Sequence, residues 1–461
     1  MKNEPVDRPV VRSTSDNDPS VHLDARREPA LVTTDIRTSK KYWQMAALVI
    51  VFAAVSFISV VPQSANDFWL QLKIGEMIIH DHSIPETVLF PFTSIQTARF
   101  NAHEWLASVG FAALVSIVGE AAIPLAMGAS GLALFGIMAW LAYRRSDQNL
   151  PVALLLGLIA VVVENYRHTP RPELLSLVLF GIYWHLLESS RYKPSIKVWM
   201  AALLTVILWT NIHGSFVVAP IVAFIYAVGV WVDSKRSHDI ERFSSATRPR
   251  EYFLFGVVAL GCTLVNPFGW ELLQFVFGFA GSSSVSDLVI EWLPTIDPRF
   301  IELRGWWIGL GCTLATAVLM LVNWRKVSVV DALTYLFFVI LAFKAIRFLV
   351  YMGMVAAYVL ATLVPQTWKS GQWQKRLFIA STGSSSIVLA LAIGFGNASG
   401  GYPHRAVVDR SFTQAMRQVL SDPAIEGNVL CSFELGAELV CLRQASEREA
   451  MPEVQRRKTL L

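Results

Sequence analysis

Residues 150–164, LPVALLLGLIAVVVE, carry a single charge, Glu164, at their very end. Runs of this kind recur along the chain, and they limit the fold more than any motif does. Only helices or closed barrels cross a hydrocarbon layer, and a helix needs about 20 apolar residues for a core of about 30 Å. The 461 residues are 54% hydrophobic and 16% charged, against roughly 25% charged in a soluble domain. That deficit, spread over several runs, reads as an all-α polytopic membrane protein.

The net charge of +4 is small, so the placement of Lys and Arg carries the orientation. Spans are expected at 42–61, 121–143, 150–164, 173–189, 197–212, 214–232, 251–265, 305–323, 328–345, 347–365 and 376–396, about eleven transmembrane helices. Residues 104–143 are the ambiguous part. Read as two spans, they put Arg144, Arg145 and every later basic loop outside. Read as a juxtamembrane helix followed by one span, they move all of those loops inside, and this is the reading adopted. Residues 1–40 then form a disordered cytoplasmic tail, with no cleavable signal before the first span. Residues 41–396 form the transmembrane domain, 62–120 its first outer loop, and 397–461 a small extracytoplasmic C-terminal tail. A second surface helix is expected in NPFGWELLQFVFGFAG, after its Pro-Phe-Gly breaker.

Some classes fall away. The basic residues are scattered in short loops, unlike a nucleic-acid footprint. There is no Walker loop, dinucleotide glycine fingerprint, HExxH or GxSxG. Four cysteines are too few for a disulfide scaffold: Cys262 and Cys312 read as packing residues, and Cys431 and Cys441 are free to pair if the tail is outside.

Polar residues at span ends gather on the outer side, which implies an outward-facing pocket, since charges at membrane depth are kept for a reason. Asp67, directly after the first span, is either a base at the mouth of the pocket or the cap of a surface helix over 68–79. His103-Glu104 before Trp105 is either an acid/base pair or ordinary first-turn acidity. The turn ENYRHTPRPE brings Arg167, His168 and Arg171 to the outer face, where guanidiniums suit a lipid phosphate or snorkel to the interface. Lys344 and Arg347 repeat that exception at a later outer tip, and Asn211 and His213 in WTNIHGS form a polar turn that helix-end satisfaction also explains. His80-Asp81-His82 has no third ligand at metal spacing, and no metal ligand is assigned.

The order of these features resembles the GT-C superfamily of membrane glycosyltransferases. It is similar in particular to a bacterial branch related to family 39 and the lipid-A aminoarabinose-transferase-like enzymes. The resemblance covers about 65–365 and rests on DFWLQLKIG, HEWL, RHTPRPELLSL, WTNIHGSF, LVNPFGWELL and Glu291-Trp292. It implies a bacterial inner-membrane enzyme with its N-terminus cytoplasmic and its C-terminus extracytoplasmic. Such an enzyme moves a sugar from a polyprenyl-phosphate donor to a glycan, lipid or protein acceptor, with inversion. By the resemblance Asp67 matches the first-loop base, Glu104 the second acidic position and Arg171 the outer-turn cation. A divalent cation, Mg2+ or Mn2+, stays open. Leu70-Gln71 stands where relatives often have Trp-His, and Leu89-Phe90 where they have Asp before Pro-Phe; both departures bear on a metal or substrate contact. A transporter or flippase for a lipid-linked or anionic substrate, and a non-catalytic membrane protein of the same fold, are the alternatives.

Overall fold

The structure is a computed structural model. It describes residues 45–46, 48–60, 66–89, 99–236, 245–281, 289–300, 304–369 and 371–398. The expected N-terminal tail and nearly all of the C-terminal tail, with Cys431 and Cys441, lie outside the described residues. The chain divides into Met1–Leu48 and Val49–Leu461, and the helical bundle belongs to the second unit.

Fourteen α-helices are described: α1 Leu48–Ser59, α2 Asn66–Asp81, α3 Trp105–Val118, α4 Ala122–Arg145, α5 Leu150–Glu164, α6 Pro172–Tyr192, α7 Ile196–Thr210, α8 Val218–Asp233, α9 Pro249–Cys262, α10 Trp270–Gly281, α11 Arg304–Val322, α12 Val329–Lys344, α13 Leu349–Thr362 and α14 Gly371–Ala398. Two of the helical stretches, Ala122–Arg145 and Gly214–Asp233, are by length and composition sufficient to cross a bilayer, and shorter apolar helices of 10–17 residues accompany them.

Local sequence sets many of these boundaries. Asn149 caps α5 by accepting from the Val152 N–H at 3.3 Å, with Pro151 in the first turn. Ser195 and Ser328 cap α7 and α12 in the same way. Pro172 opens α6 and holds Arg171 extended, as a residue before proline must be. Gly119, at φ +63°, breaks the apolar stretch 104–143 and separates α3 from α4. The division expected there is therefore present.

α13 is the axis of the bundle. It is buried along almost its whole length and packs on α4, α5, α11 and α12, as a helix that is apolar all round must be. A Cβ at Gly353 would meet Val163 at 2.8 Å, which fixes how closely α13 approaches α5. The outward faces carry Leu204, Val257, Leu314 and Leu321 exposed. In a membrane protein such a face is the lipid-facing side.

Consecutive helices run back and forth, so polar groups collect at two ends. At one end lie the start of α3, the turns 165–171 and 211–213, the segment 289–300 and the turn 345–348. At the opposite end Arg145 pairs with Asp331 at 2.6 Å, Arg191 with Glu188 at 3.4 Å, and Tyr226 donates to Glu188 at 2.5 Å. Arg145 and Arg191 read from sequence as charges that merely fix orientation. Here Arg191 is 1% exposed and both are tied into a buried network between α4, α6, α8 and α12.

Candidate functional site

The first polar end is built around the start of α3. Trp105 Nε1–H donates to Asn211 Oδ1 at 2.9 Å, and the Leu106 N–H donates to the Asn211 carbonyl at 3.2 Å. The Asn211 amide donates to the carbonyls of Ile207 and Val265, each at 2.8 Å. One asparagine thus straps α3 to α7 and to the end of α9, and presents Glu104 to the polar end. α2 lies across α3 at Gly75, where a Cβ would fall inside the van der Waals shell of the Ser108 carbonyl oxygen. That close crossing lets Gln71, one turn earlier, donate to Glu104 Oε2 at 2.6 Å while Ser108 Oγ–H donates to Gln71 Oε1.

The other carboxylate oxygen, Glu104 Oε1, lies 3.8 Å from His103 Nε2 and 3.7 Å from His213 Nε2. Both ring nitrogens of His213 face donors. The backbone N–H of Ser215 donates to His213 Nδ1 at 3.2 Å, and the Arg347 guanidinium, a donor only, shares the Nε2 side of the ring with Glu104. Burial pushes the His213 pKa down to about 3; Glu173 opposes the shift and Arg347 adds to it. The His103 pKa is lowered mainly by burial. Ser215 Oγ also accepts from Trp209 Nε1 at 3.1 Å and from the Tyr351 hydroxyl at 3.0 Å, so the turn is held by α7 and α13 together.

Beyond His213 lies a cluster of guanidiniums. Arg347 Nη2 is 3.4 Å from His213 Nε2 and Arg347 Nη1 is 3.2 Å from Glu291 Oε1. Glu291 Oε2 accepts from Arg167 at 2.8 Å and from Arg171 at 3.1 Å. Arg167 also donates to Glu173 at 2.5 Å. The Arg347 guanidinium lies 4.8 Å from the centre of the Trp292 ring. Burial works to raise the Glu291 pKa, yet Arg347, Arg167 and Arg171 together hold it well below the ordinary carboxylate value.

The sequence-expected residues divide among these roles. Glu104, His103, His213, Arg167, Arg171 and Arg347 come together. Asn211 sits beside them as the strap, with both its amide and its carbonyl engaged. His168 is 2% exposed, with Nδ1 2.7 Å from Glu164 and Nε2 3.1 Å from the Met127 carbonyl. Both ring nitrogens face acceptors, which requires the imidazolium. Burial disfavours that charge, but Glu164 raises the pKa overall. His168 therefore joins α5 to α4. Lys344 ends α12 with an exposed side chain. Asp67 stands in the first turn of α2, and its side chain lies outside the described residues.

Sequence reasoning did not place Gln71, Ser215 or Tyr351 in the site, and Gln71 stood out only as a departure from the resembled pattern. Glu173 and Glu291 were expected among the outer-side polar residues at span ends, but with no role of their own. Among the described residues no group of three or more His, Cys, Asp or Glu side chains has the arrangement of a metal site. Glu173 and Glu291 face guanidiniums instead.

A groove of about 480 Å3 runs from the outer surface between α3, α7 and the end of α9 up to Trp105 and Asn211, with Leu204, Leu208, Leu264 and Val265 on its walls.

No protein-family model matches the sequence. No curated protein matches it by sequence either. Solved structures do resemble it. The archaeal oligosaccharyltransferase AglB from Archaeoglobus fulgidus, in complex with an inhibitory peptide and a dolichol-phosphate, is similar over 88% of this chain and 64% of its own, with a TM-score of 0.53 and 12% sequence identity. The apo form of the A. fulgidus oligosaccharyltransferase gives a TM-score of 0.51 at 12% identity, over 88% of this chain and 64% of that one. A third structure, tethered to an acceptor peptide containing the NVT sequon, gives 0.51 at 12% identity, over 88% and 63%. The chain thus spans less than two thirds of the length of these structures. At such identity the likeness concerns the fold alone, the helical fold that the chain shares with these oligosaccharyltransferase structures.

Proposed function

We propose that this protein is a membrane glycosyltransferase that moves a sugar from a polyprenyl-phosphate donor to an extracytoplasmic acceptor, with inversion at the anomeric carbon. The observation that carries the reading is the convergence of Arg167, Arg171 and Arg347 on one carboxylate beside Glu104. Three partly or largely buried guanidiniums form a cradle that suits phosphate oxygens, where charge stabilisation in a low-dielectric site counts most. The shared fold supports the same reading. So does the groove at Trp105, which offers an isoprenoid chain a path from the lipid to the polar end.

In this reading the acceptor hydroxyl or amine gives its proton to Glu104, or to Asp67 on the neighbouring α2. The freed lone pair forms a bond to the anomeric carbon. The bond from that carbon to the phosphate oxygen breaks on the opposite face, and its electron pair leaves with the polyprenyl phosphate into the arginine cradle. Gln71 and His213 hold Glu104 in position, and His103 borders the acceptor side. Asn211 and His168 keep the helices in register. In this reading the basic connections at the opposite end of the bundle face the cytoplasm of a bacterial inner membrane, and the site faces outward.

The test compares Glu104→Gln with Asp67→Asn in purified protein, assayed for sugar transfer from lipid-linked sugars extracted from membranes. Loss of transfer in Glu104→Gln by a factor of about 100 or more supports Glu104 as base. Loss confined to Asp67→Asn assigns the base to α2. Full activity in both removes the acid/base assignment.

A further inference from the structure

Glu291 belongs to the segment 289–300, whose later part is fastened to the bundle: the Ile346 N–H donates to the Leu293 carbonyl at 2.9 Å and Trp306 Nε1–H to the Thr295 carbonyl at 2.5 Å. Glu291 lies just ahead of those fastenings. Its contacts to the cluster are all made by its own carboxylate, whose two oxygens meet Arg167, Arg171 and Arg347 at 2.8, 3.1 and 3.2 Å. Trp292 comes next in the chain, packed on Arg347 and on the rings of Phe279 and Phe348. We propose that Glu291 is an internal stand-in for the ligand: it occupies the arginine cradle in the empty enzyme, is displaced by an entering phosphate ester, and returns to expel the polyprenyl phosphate product. The inference rests on the reading of the cradle as a phosphate site.

Charge supports it. Withdrawal of Glu291 takes one negative charge from beside Arg167, Arg171 and Arg347. A phosphate monoester carries about −1.5 to −2 at neutral pH, whereas the glycosyl phosphodiester carries a single negative charge. Cleavage of the donor therefore creates the species that fits the vacated cradle best. An enzyme with such a cradle needs a competitor to release its product, and a carboxylate on an adjoining segment supplies one. Displacement exchanges one anion for another, so the guanidiniums are never left buried without a counter-charge, which would be the costly alternative.

Farnesyl monophosphate is the probe, titrated into the full-length protein in nanodiscs, with hydrogen exchange followed on the peptide covering 289–293. In the wild type, binding is expected to raise exchange there as Glu291 leaves the cradle. Glu291→Gln is expected to bind the probe about tenfold more tightly, since one charge-assisted competitor has gone. Equal or weaker binding by Glu291→Gln, or exchange in the wild type that falls or stays level, overturns the proposal. The exchange measurement does not depend on any variant folding. Arg347→Gln separates this inference from the reading beneath it. If Arg347→Gln abolishes binding while Glu291→Gln leaves it unchanged, the phosphate site stands and the stand-in falls. Binding that ignores Arg347 overturns both. Inorganic phosphate that binds as tightly as farnesyl monophosphate overturns the assignment to a lipid ester.

Discussion

The Gln71 amide donates to Glu104 Oε2 over 2.6 Å, joining α2 to the start of α3 across 33 positions of sequence. The bond fixes one oxygen of the carboxylate and leaves the other toward His103 and His213. Gln71→Leu should keep the fold, because the side chain is only partly buried, but should let the carboxylate rotate. A drop in kcat of about tenfold with little change in KM is expected, as for a misplaced base. Transfer assays on the purified variant measure it; an unchanged kcat would separate Gln71 from the chemistry.

The same crossing depends on Gly75. Gly75→Ala would place a methyl group against the Ser108 backbone, and overpacking of this kind costs about 1–3 kcal/mol. Gly110→Ala is the matched comparison, since a Cβ there meets nothing within 4 Å. Thermal unfolding in detergent should show the first variant destabilised and the second close to neutral. Equal effects would mean that α2 does not rest on α3 in this way.

His213 gives the site a pH dependence with a definite sign. Its folded pKa is about 3, below the value of about 6.5 expected in the unfolded chain. Between those values the unfolded state binds the extra proton, so stability rises with pH across that window. The contribution is complete above about 6.5 and is lost as pH falls toward 3, where both states are protonated; it amounts to roughly several kcal/mol. His103, also lowered, acts in the same direction. His168, raised, acts in the opposite one, losing its contribution as pH rises through its folded pKa. His213→Asn should therefore flatten the acid limb of a plot of unfolding temperature against pH. An unaltered slope would place the His213 ring in a wetter environment than its 6% exposure implies.

At the opposite end, Arg145 donates to both oxygens of Asp331 at 2.7 and 2.6 Å. Asp331→Asn leaves Arg145 to the more distant Glu188 at 3.9 Å. Breaking a buried pair from one side costs about 3–5 kcal/mol. The double variant Arg145→Met with Asp331→Leu should recover part of that loss. Unfolding temperatures of the three proteins test this, and a double variant no more stable than Asp331→Asn would contradict it.

Much of the fold was legible in the apolar runs and their caps. The stretch 150–164 became α5 without a change of boundary, because Asn149, Pro151 and the polar turn after Glu164 leave a helix few alternatives. Arg167, Arg171 and Arg347 were legible as exceptions to the charge rule. Their partners were not. Glu291 meets Arg171 across 120 positions and Arg167 across 124, and no local pattern encodes such a meeting. Arg145 and Arg191 were legible as basic residues at helix ends but not as buried ones, since burial depends on Asp331 arriving from α12 and Tyr226 from α8. His168 looked like a partner of its arginine neighbours, yet the helical spacing to Glu164 turns its ring inward.

The central claim is that the arginine cradle holds the phosphate of a lipid-linked sugar while the sugar is transferred. Its most direct measurement is the release of free polyprenyl phosphate, by mass spectrometry, from membrane-extracted lipid-linked sugars incubated with an acceptor extract and the purified protein. The wild type should release it, and Arg171→Gln with Arg347→Gln should cut the release by about 100-fold or more. No release by a folded wild-type protein, or equal release by the double variant, would contradict the claim.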